Sequence, residues 1–379
     1  MTIHRKVKKR GGYDPYLLLG VLFLMGIGVV MVYSASSMVA MKRFGSDTYF
    51  FNRQVVNVLV AILVLICCRH VPYSFYRILA YPIIVIAFLS LLALYLPHVG
   101  HSVGGAKRWL KIFGMSFQPS EFARLGLIVY LAYSMSKKQE RIKAFSIGFA
   151  PHAIVLGCFT ALIVMEPDLG MAAMITLLVW IMLFVGGVRL SYLFAAIMGL
   201  VPLAYHLLKH VEYARERVSS FLDPWQHQSD AAYQLVHSLM AFGSGGILGA
   251  GIGNGHQKLF YLPEPHTDFI FSVAGEELGL VGVCFITGLY FIILWRGFSI
   301  AMKAGDLFAT FLATGLTAAL GLQACVNAWV ALGLLPTTGL TLPFVSYGGT
   351  SLVMCAAMIG ILMNISARQA AEGGKESMG

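Results

Sequence analysis

A series of ten apolar runs constrains the fold of this chain more than any other feature. A helix needs about 20 apolar residues to cross the hydrocarbon core of a bilayer, because it must satisfy its own backbone polar groups there. Only 12% of the 379 residues are charged, whereas soluble domains usually have about 25%. These features exclude a cytosolic enzyme, a disordered chain and a nucleic-acid binder. They predict an all-α polytopic membrane protein.

The runs predict ten transmembrane helices, with a long extracytoplasmic loop before the eighth. The first run is too long for the core of a signal peptide, and no small-residue cleavage site follows it, so we expect it to be retained. A membrane domain over residues 16–366 then lies between a basic tail, residues 1–15, and a second tail, residues 367–379. The runs are Tyr16–Met38, Val55–Cys68, Ile78–Leu96, Glu121–Met135, Phe145–Met165, Gly170–Gly186, Ser191–Leu208, Phe269–Trp295, Leu307–Leu335 and Tyr347–Ser366.

The distribution of charge predicts the orientation of the chain. An even number of spans puts both termini on one side of the membrane. The tails and loops on that side hold 16 of the 27 Lys and Arg residues and five of the 17 acids, and the rest of the chain holds 11 and 12. By the positive-inside rule both termini are therefore expected in the cytoplasm. The basic excess indicates topology and not a nucleic-acid partner.

Two of the predicted outer loops stand out. Residues 97–120 carry several cations and a tryptophan, and residues 209–268 form the longest connection in the chain. Long loops in compact proteins are more often functional than idle. Within the second loop, residues 230–240 have helical periodicity, and seven glycines follow in Gly243–Gly255. A phosphate cradle is one interpretation, but close packing is favoured, because no strand precedes the glycines and no Gly-Lys-Ser/Thr follows them.

Titratable residues gather where the long loop enters the eighth run. Two prolines exclude a helix through position 265 and place Asp268 at the mouth of that helix. Helix N-capping would account for Asp268 alone, but it does not account for several acids at the point where the chain enters lipid. We expect Asp268 to be a general base that takes a proton from a substrate hydroxyl. The cluster comprises Glu264 and His266 as candidate substrate contacts, Asp268, and Glu276 and Glu277 as candidate supports of a cleft.

Cations near this acid could stabilise an anionic leaving group, since guanidinium and ammonium groups offset the charge on a departing phosphate. The candidates are Arg108, with Trp109 beside it, Lys107, and Arg53 at the start of the second helix. Contact with lipid headgroups is the alternative for these cations, and for Lys107 the two interpretations carry equal weight.

Non-helical backbone is expected at the outer edge of the membrane in Pro336–Pro343 and Ser346–Gly349. Such backbone is tolerated at membrane depth only where it is buried in protein or lines a cavity. The two segments therefore predict an outward-facing cleft, with Ser346 and Gly348 as substrate contacts.

Two further segments are expected to support this cleft. Gln118 and Glu121 belong to a helix start in which Ser120 is the expected cap. Glu166 and Asp168 lie between the fifth and sixth runs. A simple turn with both acids in water accounts for this pair as well as a cavity does. The pattern of residues identifies no metal-ligand set.

Taken together, these motifs resemble the SEDS family (shape, elongation, division and sporulation), and the resemblance covers nearly the whole chain. The sequence Gly339–Pro343 (GLTLP) is more similar to the division branch of the family than to the elongation branch. The motifs are Arg108–Trp109 with Gln118–Glu121, Glu166–Gly170 (EPDLG), Leu262–Phe271 (LPEPHTDFIF) with Gly275–Gly279 (GEELG), and Leu335–Pro343 with Ser346–Gly349 (SYGG).

The resemblance implies a peptidoglycan glycosyltransferase that polymerises lipid II at the outer face of the bacterial cytoplasmic (inner) membrane, at the division septum. It implies a class B penicillin-binding protein as the partner that crosslinks the strands, together with other division proteins. The essential loop aspartate of the family falls on Asp268, and its arginine before tryptophan falls on Arg108. Inversion at the donor sugar needs one base and no nucleophile. No cofactor is required, although a divalent cation, Mg²⁺ or Mn²⁺, could supplement the arginine.

The chain departs from the family pattern at three positions. Ser116 and Thr338 stand where many division members carry lysine, and His237 stands where the family often has glutamine. Lys107, Lys111 or a metal would then supply the missing charge.

Three alternatives to a division polymerase stay open. A lipid II flippase is compatible with ten spans and buried charges, although the charged candidates cluster at the outer mouth rather than along a path across the membrane. An elongation-type polymerase is the second, and a scaffold that only recruits the transpeptidase is the third.

Overall fold

The computed structural model describes residues 12–96, 99–103, 106–112, 115–210, 212–226, 232–256 and 265–376. These residues form helices and one small sheet. The helices are α1 (Pro15–Phe44), α2 (Tyr49–His70), α3 (Tyr73–Ile78), α4 (Ala80–Ala93), α5 (Pro119–Lys137), α6 (Ala150–Met165, after a π-helical turn at Phe145–Phe149), α7 (Leu169–Val185), α8 (Leu190–His210), α9 (Glu212–Leu222), α10 (Tyr233–Gly245), α11 (Ile270–Met302), α12 (Leu307–Ala331) and α13 (Gly349–Glu376). The strands are β1 (Gly100–Val103), β2 (Ala106–Ile112) and β3 (Met115–Phe117).

Each of the ten predicted apolar runs coincides with a helix, which confirms the polytopic helical fold. In the described part of the chain, six helical segments are long and apolar enough to cross a membrane, and α4, α7 and the first part of α8 are shorter apolar helices. The fourth run became α5, whose hydropathy is lowered by Glu121 and Arg124 inside it.

Helix α12 lies at the centre of the bundle. Its most apolar stretch is 78% buried, whereas that of α2 is 22% buried. It packs against α5, α7, α11 and α13. A residue on α12 can therefore reach several elements at once, and this position matters for the site below.

The first outer loop contains a sheet that the sequence analysis did not predict. Its three antiparallel strands have the order β1-β2-β3, with His101 opposite Trp109 and Leu110 opposite Phe117. The pairing of β1 with β2 shifts between His101 and Ser102, which lie opposite Trp109 and Lys107, so Arg108 is the extra residue of a β-bulge.

The glycine-rich segment packs closely on α11, as expected. The N–H of Ala250 donates to the carbonyl of Glu276 over 2.9 Å, and the N–H of Leu280 donates to that of Gly246 over 3.0 Å. Helix α11 is broken at Gly279, where φ is +64°, and a Cβ at that position would collide with the backbone at Gly249. These glycines serve the close approach of two backbones, and the phosphate-cradle interpretation has no support in this geometry.

Candidate active site

Asp268 lies in a turn directly before α11. The helix begins at Ile270, and the residue that precedes it is Phe269. Asp268 is therefore not the N-cap, and the capping alternative is wrong. Phe269 and Ile270 are buried, whereas Asp268 is partly exposed. The turn is thus anchored on its C-terminal side, while Asp268 itself stays partly exposed.

Helix α12 and the Gly339–Pro343 segment approach Asp268 from the other side. The side-chain amide of Asn327 donates to the main-chain carbonyl of Asp268 over 2.8 Å and to that of Leu340 over 2.7 Å. Gly339 has a φ of +77°, and a Cβ there would lie 3.8 Å from Oδ2 of Asp268. The backbone at Gly339 therefore passes directly beside the carboxylate.

His266 anchors the same turn. Its side chain is 1% exposed, and its ring centroid lies 4.4 Å from that of Phe50 and 5.4 Å from that of Tyr347. Its carbonyl accepts the N–H of Tyr347 over 2.9 Å. This burial favours a packing role for His266 over the substrate contact expected from the sequence. Glu264 lies outside the described residues.

Arg108 joins the sheet to the turn between α6 and α7. Its Nε donates to the carbonyl of Glu166 over 3.1 Å, a terminal nitrogen donates to the carbonyl of Pro167, and Nε lies 3.9 Å from Oδ2 of Asp168. The side chain keeps 22% of its surface exposed. Arg108 is therefore held in place with part of its side chain still accessible.

The two acids of that turn are buried, so the interpretation that places them in water is wrong. Asp168 is 4% exposed and caps α7 by accepting the N–H of Met171 over 3.2 Å. Burial raises the pKa of Asp168, and Arg108 opposes this. Glu166 is 2% exposed, and within the described structure neither of its carboxylate oxygens has a hydrogen-bond partner. Burial, helped by Asp168 and opposed by Arg108, raises the pKa of Glu166 to about 8.

The raised pKa of Glu166 predicts a pH-dependent stability. The folded protein binds this proton more tightly than the unfolded chain, so the stabilisation is complete below the ordinary carboxyl pKa and is lost as the pH rises through about 8. The apparent Tm of the wild type should fall by several degrees between pH 6 and pH 9, and the fall should be smaller in Glu166→Gln, measured by thermal unfolding in detergent. Equal slopes for the two proteins would contradict this assignment.

Arg217 belongs to the site, although the sequence analysis did not select it. It lies on α9 and donates to the carbonyl of Thr337 over 2.6 Å, and its charge, like that of Arg108, favours the ionised form of Asp168. The next residue, Thr338, packs against Gly170. Arg217 thus brings a cation to the segment in which Thr338 replaces the family lysine. Arg217 lies in a stretch rich in charge, where no sequence pattern distinguishes it from its neighbours.

A buried polar network lies under the Gly339–Pro343 segment. Arg124 is 0% exposed, pairs with Glu121 at 2.7 Å and donates to Oε1 of Gln323 over 2.5 Å. Gln323 in turn donates to the carbonyl of Thr341 over 2.9 Å and to the hydroxyl of Ser351 over 3.0 Å. Glu121 thus supports the cleft through Arg124, which the sequence analysis missed. An acid and a base three residues apart inside an apolar run were the available signal.

The start of α5 differs from the expectation. The helix begins at Pro119, directly after Gln118, and the hydroxyl of Ser120 caps nothing. The N–H of Gln118 donates to the hydroxyl of Thr350 over 3.2 Å, and that hydroxyl donates to the carbonyl of Ser116 over 2.9 Å. This segment is therefore tied to the start of α13.

Four other predicted residues hold the surrounding backbone. Glu276 and Glu277 are both 1% exposed. Glu276 accepts the N–H of His256 over 2.7 Å, and Glu277 accepts the hydroxyl of Ser34 over 2.7 Å.

Ser346 accepts the N–H of Leu342 over 2.8 Å, and a Cβ at Gly348 would lie 3.3 Å from the Thr341 side chain. Burial of Ser346 favours shaping of the loop over direct contact with substrate.

The remaining predicted cations are more exposed than Arg108. Lys107 and Lys111 are exposed on β2, and Trp109 is partly buried. Arg53 is exposed on α2, with its guanidinium 4.5 Å from the centroid of the Tyr49 ring.

Comparison with known proteins gives consistent matches along the chain. The family model described as "Cell cycle protein", which covers FtsW, RodA and SpoVE, matches residues 15–371. The "Probable peptidoglycan glycosyltransferase FtsW" of Geobacter sulfurreducens is 44% identical over 368 residues, which are 97% of this chain and 99% of that protein. Stage V sporulation protein E of Bacillus subtilis is 37% identical over 359 residues, which are 94% and 98% of the two chains.

Solved structures give the same result. A chain from the structure described as "Structural coordination of polymerization and crosslinking by a peptidoglycan synthase complex" superposes with a TM-score of 0.79 at 30% identity, covering 94% of this chain and 98% of that one. The rod shape determining protein RodA of Thermus thermophilus has a TM-score of 0.69 at 29% identity, over 94% and 97% of the two chains. This chain therefore belongs to the FtsW/RodA/SpoVE cell cycle family, the SEDS family of polytopic membrane proteins.

Proposed function

We infer that this protein is a peptidoglycan glycosyltransferase that polymerises lipid II into glycan strands at the outer face of the cytoplasmic membrane during cell division. The names of its relatives support the activity. The observation that carries the mechanism is the position of Asp268, a partly exposed carboxylate in a turn that buried residues and α12 hold on both sides.

The reaction joins two lipid-linked sugars with inversion at the donor carbon. The 4-hydroxyl oxygen of the acceptor forms a bond to the anomeric carbon as the bond from that carbon to the α-linked pyrophosphate breaks. Asp268 takes the hydroxyl proton, and the polyprenyl pyrophosphate leaves with the bonding electrons. A single base is enough because no covalent intermediate forms.

Two arginines are suited to the leaving group. Arg108 holds the Glu166–Asp168 turn, and Arg217 holds the neighbouring Thr337 carbonyl, next to the segment that passes Asp268. Fixed guanidinium groups of this kind stabilise charge that develops on a departing phosphate. Arg217 thus supplies a cation beside Thr338, where the family lysine is missing.

Replacing Arg217 should slow polymerisation without unfolding the protein. We expect Arg217→Gln to lower kcat/KM by about 10²-fold, because one charge-stabilising donor is typically worth 10²–10³. Arg215→Gln, on the exposed part of the same helix, is the matched control and should stay within about twofold of the wild type, as expected for a surface change. Equal effects of the two substitutions would remove Arg217 from the site. The measurement is the initial rate of glycan formation from lipid II.

Glu166 and Asp168 are the residues that would hold a divalent cation. In the described part of the chain, no three His, Cys, Asp or Glu side chains form a metal-binding cluster. Mg²⁺, however, is commonly bound through one or two carboxylates together with substrate phosphates, and the buried oxygens of Glu166 lack hydrogen-bond partners within the described structure. A bound cation would neutralise charge on the pyrophosphate.

The partner proposed for this protein is a class B penicillin-binding protein that crosslinks the new strands, within a larger division assembly at the septum. The structural neighbour that coordinates polymerisation with crosslinking supports this. Both termini are proposed to lie in the cytoplasm, on the basis of the charge distribution.

Depleting the protein should give filamentous cells, whereas rounded cells would indicate an elongation role.

The activity is tested with the purified full-length protein, its transpeptidase partner and lipid II. The expected product is a ladder of glycan strands that a muramidase specific for β-1,4 linkages degrades. Failure to form strands when the partner is present, or strands that resist the muramidase, would contradict the proposed reaction.

A further inference from the structure

We propose that Asn327 is a positioning residue that sets the place of Asp268 relative to the Gly339–Pro343 segment. This inference rests on the proposed role of Asp268 as the base. Asn327 lies on the central helix α12, is 1% exposed and reaches two segments that are distant in sequence, with separations of 59 and 13 residues.

The chemistry of the two contacts fixes the orientation of the amide. Both neighbours of the Asn327 nitrogen are main-chain carbonyl oxygens, those of Asp268 at 2.8 Å and Leu340 at 2.7 Å. An amide presents two donors on its nitrogen and only acceptors on its oxygen. The reverse orientation would place the oxygen against two carbonyls, so only the nitrogen can face them.

The side-chain oxygen of Asn327 indicates that packing alone does not account for this residue. Oδ1 of Asn327 is buried and has no hydrogen-bond partner in the described structure. A buried unsatisfied acceptor destabilises a fold, so the amide is a poor choice for packing alone. Its two donations to the site account for its presence.

Gln323 extends this arrangement by one helical turn. Residues four apart lie on the same face of a helix, and Gln323 donates to the carbonyl of Thr341 as Asn327 does to that of Leu340. Asn327 additionally contacts the Asp268 carbonyl. The position of the base relative to the Gly339–Pro343 segment is therefore fixed by one side chain of α12. A displacement of about 1 Å in a reacting group can lower a rate about 10²-fold.

The test compares two asparagines that crosslink backbone in different parts of the bundle. Asn364, near the opposite ends of the helices, donates to the carbonyl of Arg69 over 2.7 Å and accepts the N–H of Tyr73 over 2.9 Å. We expect Asn327→Leu to lower kcat for lipid II polymerisation about 10–100-fold with KM within about twofold. Asn364→Leu should lower the apparent Tm to a similar extent and leave kcat within about twofold of the wild type.

A second variant separates positioning from folding. Asn327→Asp replaces the donors with acceptors, and only its protonated form regains one O–H donor. The ratio of its kcat to that of the wild type should therefore rise as the pH is lowered from 8 to 6. A pH-independent ratio, or an Asn327→Leu protein that keeps the wild-type kcat, would overturn the proposal. A wild-type protein that makes no polymer would instead refute the proposed function.

Discussion

Asp268→Asn is expected to lower the rate of glycan polymerisation by about 10²–10⁴-fold, the usual contribution of a general base. The substitution is nearly isosteric, and Asn327 contacts the main-chain carbonyl of residue 268 rather than its side chain. The fold and the KM for lipid II should therefore change little. The initial rate of strand formation from lipid II measures the effect.

A matched control is available at the other end of α12. The carboxylate of Asp306 accepts the N–H of Ala309 over 2.8 Å and the hydroxyl of Tyr73 over 2.9 Å, far along the helix from Asn327. Asp306→Asn should lower stability slightly and leave polymerisation within about twofold of the wild type. Retained polymerisation in Asp268→Asn would exclude this residue as the base.

Among the substitutions proposed for this protein, Arg124→Leu is expected to lower the free energy of unfolding most, by about 3–5 kcal/mol. The reason is that it leaves the buried carboxylate of Glu121 without its partner. The pair is 2.7 Å apart, and both side chains are almost fully buried. Unfolding of the detergent-solubilised protein, monitored by circular dichroism, measures the loss.

The double variant Glu121→Leu/Arg124→Leu tests the cause. Replacing both members of a buried pair with apolar residues is often neutral, whereas breaking the pair is costly. The double variant should therefore recover more than half of the stability lost in Arg124→Leu. A double variant less stable than Arg124→Leu would show that the arginine acts through other contacts, such as its hydrogen bond to Gln323.

Features encoded locally could be predicted from the sequence. The apolar runs located all six helices that are long and apolar enough to cross a membrane in the described part of the chain, because length and hydropathy decide membrane insertion. The prolines before Asp268 located it at a helix mouth because proline excludes helix there. The glycines of Gly243–Gly255 indicated close packing, and the structure confirms it at Gly249 and Gly279.

Features that depend on contacts between distant segments could not be predicted. Arg217 meets Thr337 across 120 residues, and Asn327 meets Asp268 across 59. The burial of Glu166 could not be predicted either, because proline and glycine beside an acid are equally typical of an exposed turn. Lys107 and Arg108 were grouped together because neither the sheet nor its bulge was predicted. Arg108 contacts the carbonyl of Glu166, whereas Lys107 stays exposed.

A single reconstituted system can distinguish a lipid II polymerase from a lipid II flippase. The full-length protein with its partner is reconstituted in liposomes that carry fluorescent lipid II, and strand formation and movement of lipid II between leaflets are measured together. We expect the wild type to form strands and Asp268→Asn to form none, and we expect neither protein to move lipid II faster than empty liposomes. Movement of lipid II by the wild type without strand formation would refute the proposed polymerase activity.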